Sequence, residues 1–357
     1  MIRPYAQPAI VAAMAILSLP ILQASAQTRV PAAPAQAPAA TPSAPVHVPA
    51  APATPGQSST APMISAPAPT APAFPKPNPA NFTAASPTKD TVNAFLQASW
   101  GYDPNRIWQV QAILKTPAQG VSEVIVFVDD KTGKMKPAAL EFFTLPDGKH
   151  IIAGGQSQLQ VLPFGANPYA DNRAILQQRA DGPYRGAPSK DLELVEFADF
   201  QCPHCKEAQA NIDKLATDFP KARIVFQNDP IASIHPQSVR AAEFGVCVNE
   251  LGGSSAFFQF AGAVFDGQAG LATPDGAALT LNSAVIKAGL SPAKVSACAA
   301  TPATKAAVDA SVKLGSDIGI TSVPTLVING RPIPANVSYD TLKQIIEFQA
   351  KLDGVTL

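Results

Sequence analysis

The stretch VEFADFQCPHC, residues 195–205, decides how the second half of this chain folds. An apolar run at 191–200 predicts a buried strand, and a helical pattern follows the second cysteine as far as Phe219. Pro203 suits the first turn of that helix, because the backbone nitrogen at this position has no partner inside a helix. The sequence therefore predicts a strand, a Cys-x-x-Cys motif and a helix in direct succession.

The two cysteines of this motif are candidates for redox chemistry. Cys202 lies near the positive end of the predicted helix, where a thiolate gains about 0.3–2 kcal/mol. His204 adds a positive charge or a hydrogen-bond donor beside the sulfur. Cys205 faces into the helix packing and is predicted to be the resolving thiol. These features favour a small, reactive disulfide.

A zinc site is the alternative use of two closely spaced cysteines. It needs two further ligands at matching spacing. The remaining cysteines, Cys247 and Cys298, stand alone in the sequence and have no histidine beside them. The sequence therefore favours redox chemistry and predicts no metal at Cys202 and Cys205.

A resemblance to a known family rests on two segments. Residues 195–205 resemble the active-site signature of the DsbA-like thioredoxin-fold thiol:disulfide oxidoreductases, including the Pro-His pair between the cysteines. The segment TSVPTL, residues 321–326, is similar to the cis-proline loop of that family. The resemblance implies an α/β thioredoxin-like fold for about 189–357. It also implies that Pro324 is cis and lies opposite the cysteines, where the backbone of Val323 pairs with a substrate strand.

Glu196 matches the position of a buried acid in DsbA-like proteins. Burial in an apolar strand would raise its pKa, and such a carboxyl could relay a proton to or from Cys205. An acid on the solvent face of the strand is the alternative interpretation. Glu193 and Asp199 are nearby competitors for the same role.

The resemblance continues into a helical insert at about 231–320. His235 resembles a residue of the family's insert, but the resemblance supplies no mechanism for it. Cys247 and Cys298 also fall in this insert, and two spare cysteines of an exported protein are usually joined. Closing a loop of about 50 residues contributes about 4 kcal/mol. We predict a structural disulfide, with a second redox centre as the alternative.

Length and charge exclude several other classes of protein. The 357 residues suggest two domains with additional segments. Because 26 basic side chains balance 26 acidic ones, no basic excess is available for nucleic acid. No glycine-rich nucleotide loop precedes a predicted helix, so no cofactor is predicted.

The N-terminal segment has the features of an export signal followed by a tether. Arg3 precedes an apolar run at 9–22, and Ala24-Ser25-Ala26 is typical of a cleavage site, so a signal peptide is predicted for 1–26. A membrane anchor is the alternative, but the run is too short to span a bilayer. Residues 27–88 are rich in proline and alanine, which predicts a disordered linker.

Residues 89–165 predict a small α+β domain that carries no catalytic residue. A helix at 91–99 is followed by four strand-like runs, the last at 149–161. The segment 147–155 weakly resembles the N-terminal dimerisation domain of DsbC and DsbG, which implies a cystatin-like fold and a homodimer. A linker helix is predicted within 166–188.

Together these residues predict a periplasmic thiol:disulfide oxidoreductase that acts in protein folding. Its expected partners are client proteins with thiols or disulfides and a membrane partner that recycles the redox centre. The direction stays open between oxidase and isomerase or reductase, since the same residues serve both. A chaperone-like or client-binding module with a purely structural disulfide is the alternative from another class.

Overall fold

The structure is a computed structural model, and it describes residues 74–134, 136–154 and 159–357. The described residues fall in one compact unit. The predicted signal peptide, 1–26, and most of the predicted linker, 27–88, lie outside the described residues. Among the helices of the described part, none is both long and apolar enough to cross a membrane.

A five-stranded antiparallel sheet and one helix form the N-terminal half of this unit. Its elements are α1 (Lys89–Trp100), β1 (Arg106–Lys115), β2 (Ser122–Asp130), β3 (Ala138–Thr144), β4 (His150–Gly154) and β5 (Leu159–Pro163). The strands pair in chain order. The hydroxyl of Thr88 accepts a hydrogen bond from the Thr91 amide at 3.1 Å, which caps the first turn of α1.

Helix α1 lies on one face of this sheet. Val92 and Leu96, four residues apart, share one side of the helix and are fully buried. They join Val110 of β1 and Val124 of β2 in a single apolar cluster. Along β2 buried and partly exposed residues mostly alternate, as in a sheet with one covered face.

The sequence predicted four strands here, and the structure has five. The run at 149–161, predicted as one strand, contains β4 and the start of β5, which pair as a hairpin with Ile151 opposite Leu162. Gly154 and Gly155 interrupt the run in the sequence, and glycine within an extended run marks a bend or turn. The predicted count was one strand too low, because the two glycines divide the run into two paired strands.

The chain reaches this sheet earlier than the predicted start of the domain. The Gln111 side chain donates a hydrogen bond to the Pro75 carbonyl at 3.0 Å. Phe82 forms an isolated parallel bridge with Ile113 of β1. Residues 74–88 therefore belong to the small domain, although their composition predicted a linker. Side chains contribute as well, since the ring centroids of Phe74 and Phe127 are 6.3 Å apart and Phe82 packs against the apolar cluster of this sheet.

A mixed sheet with helices on both faces forms the C-terminal half. Its elements are α2 (Ala170–Arg179), β6 (Tyr184–Gly186), β7 (Glu193–Ala198), α3 (Pro203–Asp218), β8 (Arg223–Asn228), α4 (Ser238–Asp266), α5 (Pro274–Lys287), α6 (Pro292–Ala299), α7 (Pro302–Asp317), β9 (Thr325–Ile328), β10 (Arg331–Pro334) and α8 (Tyr339–Leu352). The strand order is β10-β9-β7-β8-β6. Strands β7 and β8 are parallel and all other neighbours are antiparallel.

Strand β7 is the central strand of this sheet, and all its residues are buried. Leu194 packs into an apolar cluster with residues of α3 and α8. Val195 and Phe197 pack into a second cluster with residues of α2 and α7. Burial on both faces explains the continuous apolar run in the sequence. It also fixes the position of the cysteine motif, which follows at the carboxyl end of β7.

Helices α4 to α7 lie in the predicted insert; α4, α5 and α6 pack at this end of the sheet, and α7 packs on the face of β7. Helix α4 is interrupted at Gly253, where φ is 75° and glycine is favoured. The ring of Phe200 stacks on that of Phe226, with 5.3 Å between their centroids. Cys202 and Cys205 belong to the same apolar cluster as these rings and the insert helices. The insert therefore packs against both cysteines of the motif.

Candidate redox site

Cys202 stands at the start of α3. It is the N-cap residue, and Pro203 takes the first helical position. Hydrogen bonds from the Cys205 thiol and from the backbone amides of Cys205 and His204 lower the pKa of Cys202 to about 6. Burial and the charge of Asp199 act in the opposite direction. In the reduced protein the thiolate of Cys202 therefore predominates at neutral pH.

Cys205 has the opposite character. It is fully buried and, like Cys202, is a free thiol. The hydrogen bond to Cys202, together with burial, raises the pKa of Cys205 far above its ordinary value. The Asp199 amide donates to Cys205 Sγ at 3.4 Å, which opposes this effect. An attacking thiol must be acidic, as Cys202 is, and a resolving thiol can stay protonated, as Cys205 does.

Glu196 lies on β7 and is only 2% exposed. Burial raises the pKa of Glu196 to about 7, although a hydrogen bond from Gln209 Nε2 to Glu196 Oε1 at 2.7 Å acts against it. The charge of Glu196 contributes in turn to the raised pKa of Cys205, after its hydrogen bond to Cys202 and burial. A carboxyl that titrates near neutral pH and interacts with the resolving thiol is suited to hold or release a proton.

The two competing acids have other partners. Glu193 pairs with Arg223, with 3.4 Å between Oε1 and Nε. The Asp199 carboxylate accepts a hydrogen bond from His235 Nδ1, with 2.8 Å between Oδ2 and Nδ1. The structure thus brings His235 to the redox motif, where the sequence resemblance supplied no role for it.

The His204 side chain lies mostly in solvent, with 62% of it exposed. Its Nδ1 lies 2.8 Å from Glu207 Oε2, and this hydrogen bond raises the pKa of His204. The backbone amide of His204 is the group that hydrogen-bonds to Cys202. His204 therefore acts on the thiolate through its main chain, and its side chain adds an exposed cation when protonated.

The loop before β9 lies beside the motif. The peptide bond between Val323 and Pro324 is cis. Val323 packs against the apolar cluster that contains Cys202 and Cys205. Pro324 is buried, and its carbonyl accepts a hydrogen bond from the Ala335 amide at 3.0 Å.

Gln268 is a residue of this site that sequence reasoning missed. It begins the short 3-10 turn Gln268–Ala272 after α4. Its Nε2 donates to the backbone carbonyls of Phe200 and Cys202, each at 2.9 Å. No motif or periodicity marks this glutamine, because the contact arises only when the insert folds over the cysteine motif.

A disulfide between Cys247 and Cys298 joins α4 to α6. With Glu250 these sulfurs form a group of three potential metal ligands. Disulfide sulfurs are not thiolates, so this group does not suit a metal ion. Within residues 74–134, 136–154 and 159–357, Cys202 and Cys205 belong to no such group.

Comparisons with known proteins concern the C-terminal half. The model of the thioredoxin family matches residues 178–348. A thioredoxin-like oxidoreductase from Silicibacter pomeroyi is 23% identical over 50% of this chain and 98% of its own, with a TM-score of 0.43. A periplasmic thioredoxin-like protein from Salmonella enterica serovar Typhimurium is 22% identical over 50% of this chain and 96% of its own, with a TM-score of 0.43.

Curated relatives match a shorter stretch. The Na(+)/H(+) antiporter NhaA 3 of Salinispora tropica is 34% identical over 68 residues, which are 19% of this chain and 10% of the antiporter. This chain therefore spans a small part of that relative, and no transport activity follows from the match. The family match and the strand order show that the C-terminal half has a thioredoxin-like α/β fold.

Proposed function

We propose that this protein is a thiol:disulfide oxidoreductase that exchanges disulfides with client proteins through Cys202 and Cys205. The observation that carries the proposal is the contrast between the two sulfurs: Cys202 is acidic and slightly exposed, and Cys205 is buried and not acidic. Thiol exchange needs this contrast, because the thiolate is both the nucleophile and the leaving group. A permanently oxidised, structural disulfide does not require it.

In the oxidising direction a client thiolate attacks Cys202 Sγ of the Cys202–Cys205 disulfide. A bond forms between the client sulfur and Cys202, the bond to Cys205 breaks, and its electron pair passes to the Cys205 sulfur. Cys202 no longer hydrogen-bonds to this sulfur in the mixed disulfide, but burial still raises the pKa of Cys205, so the sulfur takes up a proton. Glu196, with a pKa of about 7, is the proposed donor.

The second step resolves the mixed disulfide. The second client thiolate attacks the client sulfur bound to Cys202, a client disulfide forms, and Cys202 leaves as a thiolate. Its low pKa makes it a good leaving group. The client loses two electrons and the Cys202–Cys205 pair gains them. The proposed chemistry uses sulfur atoms and protons alone, so it requires no cofactor.

The acidity of Cys202 favours the oxidase direction. A stabilised thiolate stabilises the dithiol form relative to the disulfide, which makes the pair more oxidising. Equilibration with glutathione measures this directly. A reduction potential above about −200 mV supports an oxidase, and one near about −270 mV supports a reductase.

Val323 and Pro324 are the proposed contact for the client. Val323 packs against the apolar cluster that contains the two cysteines. An extended client segment paired with the backbone of Val323 would bring its sulfur toward Cys202 through main-chain hydrogen bonds, which do not depend on the client's sequence. Such binding suits an enzyme that acts on many proteins.

The exported location is proposed from the first 26 residues of the sequence. In the periplasm a disulfide persists, whereas the cytosol keeps thiols reduced. Each oxidising turnover leaves two electrons on the Cys202–Cys205 pair. We therefore propose a membrane redox partner that removes them.

Reduction of insulin by dithiothreitol tests the proposed function. The wild-type protein is expected to accelerate the reaction, and Cys202→Ser is expected to leave it at the uncatalysed rate. Equal rates with the two proteins would overturn the redox proposal. That result would favour a client-binding module with a permanent disulfide.

We also propose that two copies associate through β5. The β1 edge of the N-terminal sheet is partly covered, since Phe82 bridges Ile113. At the β5 edge Leu159 is 78% exposed and Val161 is 61% exposed. Residues 159–163 contain no charged side chain, and an uncharged apolar edge favours pairing with another strand.

Two copies joined along β5 would pair their free backbone groups and bury these side chains. A dimer with two redox centres suits isomerisation, which is the second candidate function. Light scattering of the mature protein tests the dimer. A monomer at tens of micromolar contradicts it.

A further inference from the structure

Asp199 lies in the turn between β7 and the cysteine motif, and its side chain is wholly buried. Its Oδ1 accepts a hydrogen bond from the Gln201 amide at 2.7 Å. Its Oδ2 accepts from the Ile231 amide and from His235 Nδ1, both at 2.8 Å. A buried carboxylate is costly unless donors surround it, and this one has three.

The backbone of Asp199 contacts both redox cysteines. Its amide donates to Cys205 Sγ at 3.4 Å. Its carbonyl accepts a hydrogen bond from the Cys202 amide at 3.1 Å. A displacement of Asp199 would therefore change the hydrogen bonds of both cysteines. Its side chain holds this backbone in place through Ile231 and His235, which belong to the segment after β8.

The charge of Asp199 opposes the redox thiolate. The hydrogen bond from Cys205 lowers the pKa of Cys202, and the Asp199 charge acts against it. Burial, together with the same charge, raises the pKa of Asp229 to about 6. His235 Nδ1 lies 2.8 Å from Asp199 Oδ2, and its hydrogen bond compensates part of this negative charge.

We propose that Asp199 and His235 are a positioning pair for the redox centre, in which His235 compensates the Asp199 charge and anchors the backbone that contacts both cysteines. The inference rests on the proposed redox function and extends it to residues outside the Cys-x-x-Cys motif. The other titratable groups that interact with Asp199 are Asp229 after β8 and the two redox cysteines at the start of α3.

Titration of the Cys202 thiolate in the reduced protein, followed by its far-ultraviolet absorbance, tests the pair. His235→Asn keeps a side-chain donor to Asp199 but removes the imidazole, and it is expected to raise the midpoint by about 1 pH unit. Asp199→Asn removes the anion and is expected to lower the midpoint by about the same amount. The double variant lacks both the Asp199 anion and the imidazole that stabilises it, so Cys202 should titrate close to its wild-type midpoint.

A purely structural role would not shift the midpoint in opposite directions. His150→Asn is the matched control, because His150 pairs with Asp147 at 2.6 Å in the N-terminal half. In this variant Cys202 should titrate with the wild-type midpoint. In the glutathione equilibrium His235→Asn should favour the disulfide form about tenfold more than the wild type does. Thermal unfolding of each variant confirms that it is folded. If Asp199→Asn does not fold, the Cys202 midpoint of His235→Asn alone tests the proposal.

A His235→Asn midpoint within about 0.3 unit of the wild type would overturn the inference. So would a rise of the midpoint in folded Asp199→Asn. If the wild type keeps a low midpoint and insulin activity while both variants titrate unchanged, only this inference fails. If the wild-type thiol itself titrates like a free cysteine, the proposed function fails.

Discussion

The guanidinium of Arg331 on β10 donates a hydrogen bond to the backbone carbonyl of Ser99 in α1, with 3.0 Å between nitrogen and oxygen. It also donates to the Ala98 carbonyl and, at 2.9 Å, to Gln349 Oε1. Arg331 is 3% exposed. Because carbonyls at the end of a helix carry partial negative charge, this buried cation joins the N-terminal half to the thioredoxin-like half.

Arg331→Met is expected to lower the free energy of unfolding by about 3 kcal/mol, because it leaves buried acceptors without a donor. Urea denaturation measures the loss. Arg179→Met is the control: its side chain is 39% exposed and pairs with Asp317 at 2.7 Å. A surface pair contributes at most about 1 kcal/mol. Equal losses of unfolding free energy in the two variants would show that Arg331 does not stabilise the contact between the two halves.

The acidity of Cys202 is expected to depend on Cys205. The wild-type thiolate should titrate near pH 6, and the hydrogen bond from Cys205 is the largest contribution to that value. Cys205→Ala removes the donor and should raise the midpoint. Cys205→Ser keeps a donor and should raise it less. A wild-type midpoint at or above about 8.5, measured by thiolate absorbance, would contradict the assignment.

Glu196 should make the protein less stable as the pH rises. Burial raises its pKa from 4.5 to about 7 in the folded state, so the unfolded chain binds fewer protons over this interval. The free energy of unfolding should therefore fall by about 3 kcal/mol between pH 4.5 and 7. Glu196→Gln removes this fall, so its stability relative to the wild type should increase from pH 5 to pH 8.

Urea denaturation of the oxidised forms at pH 5 and pH 8 measures the difference, since the redox cysteines do not titrate as a disulfide. Glu347→Gln is the control, because the side chain of Glu347 is 49% exposed and its ionic partner is Lys343, with 3.9 Å between Oε1 and Nζ. If the unfolding free energies of Glu196→Gln and the wild type change equally with pH, the pKa of Glu196 is not raised in the folded protein.

The disulfide between α4 and α6 should stabilise the fold without taking part in exchange. The double variant Cys247→Ala, Cys298→Ala is expected to lower the free energy of unfolding by about 4 kcal/mol, because it frees a long loop of the unfolded chain. Insulin reduction by the folded variant should be unchanged. Loss of that activity with the fold intact would instead indicate a second redox centre.

A charge on the β5 edge should abolish the proposed dimer. Val161→Lys places a cation among apolar side chains that self-association would bury, and like charges would meet across the two-fold axis. Light scattering should show a monomer for this variant and a dimer for the wild type. Leu279→Lys is the control, since Leu279 is 74% exposed on α5, away from the sheet edge. Dissociation by both variants would argue against β5 as the interface.

The central strand, the cysteine motif and the helix after it could be read from the sequence. The apolar run that became β7 was recognisable because it is buried on both faces, and α3 because its apolar positions recur every three or four residues. The positions of Pro203 and of the two cysteines follow from local helix geometry. Such features depend on neighbours within a few residues, and local sequence patterns report these.

Tertiary structure alone decided which distant groups meet at the site. His235 reaches Asp199 across 36 residues and Gln268 reaches the Cys202 carbonyl across 66, and neither contact leaves a periodic signal. The short strand β6 was likewise not predicted, because it is defined by pairing with β8 rather than by its own composition. Long-range hydrogen bonds depend on how the insert and sheet fold together, so the sequence supplied the reactive sulfurs and the fold supplied the groups that surround them.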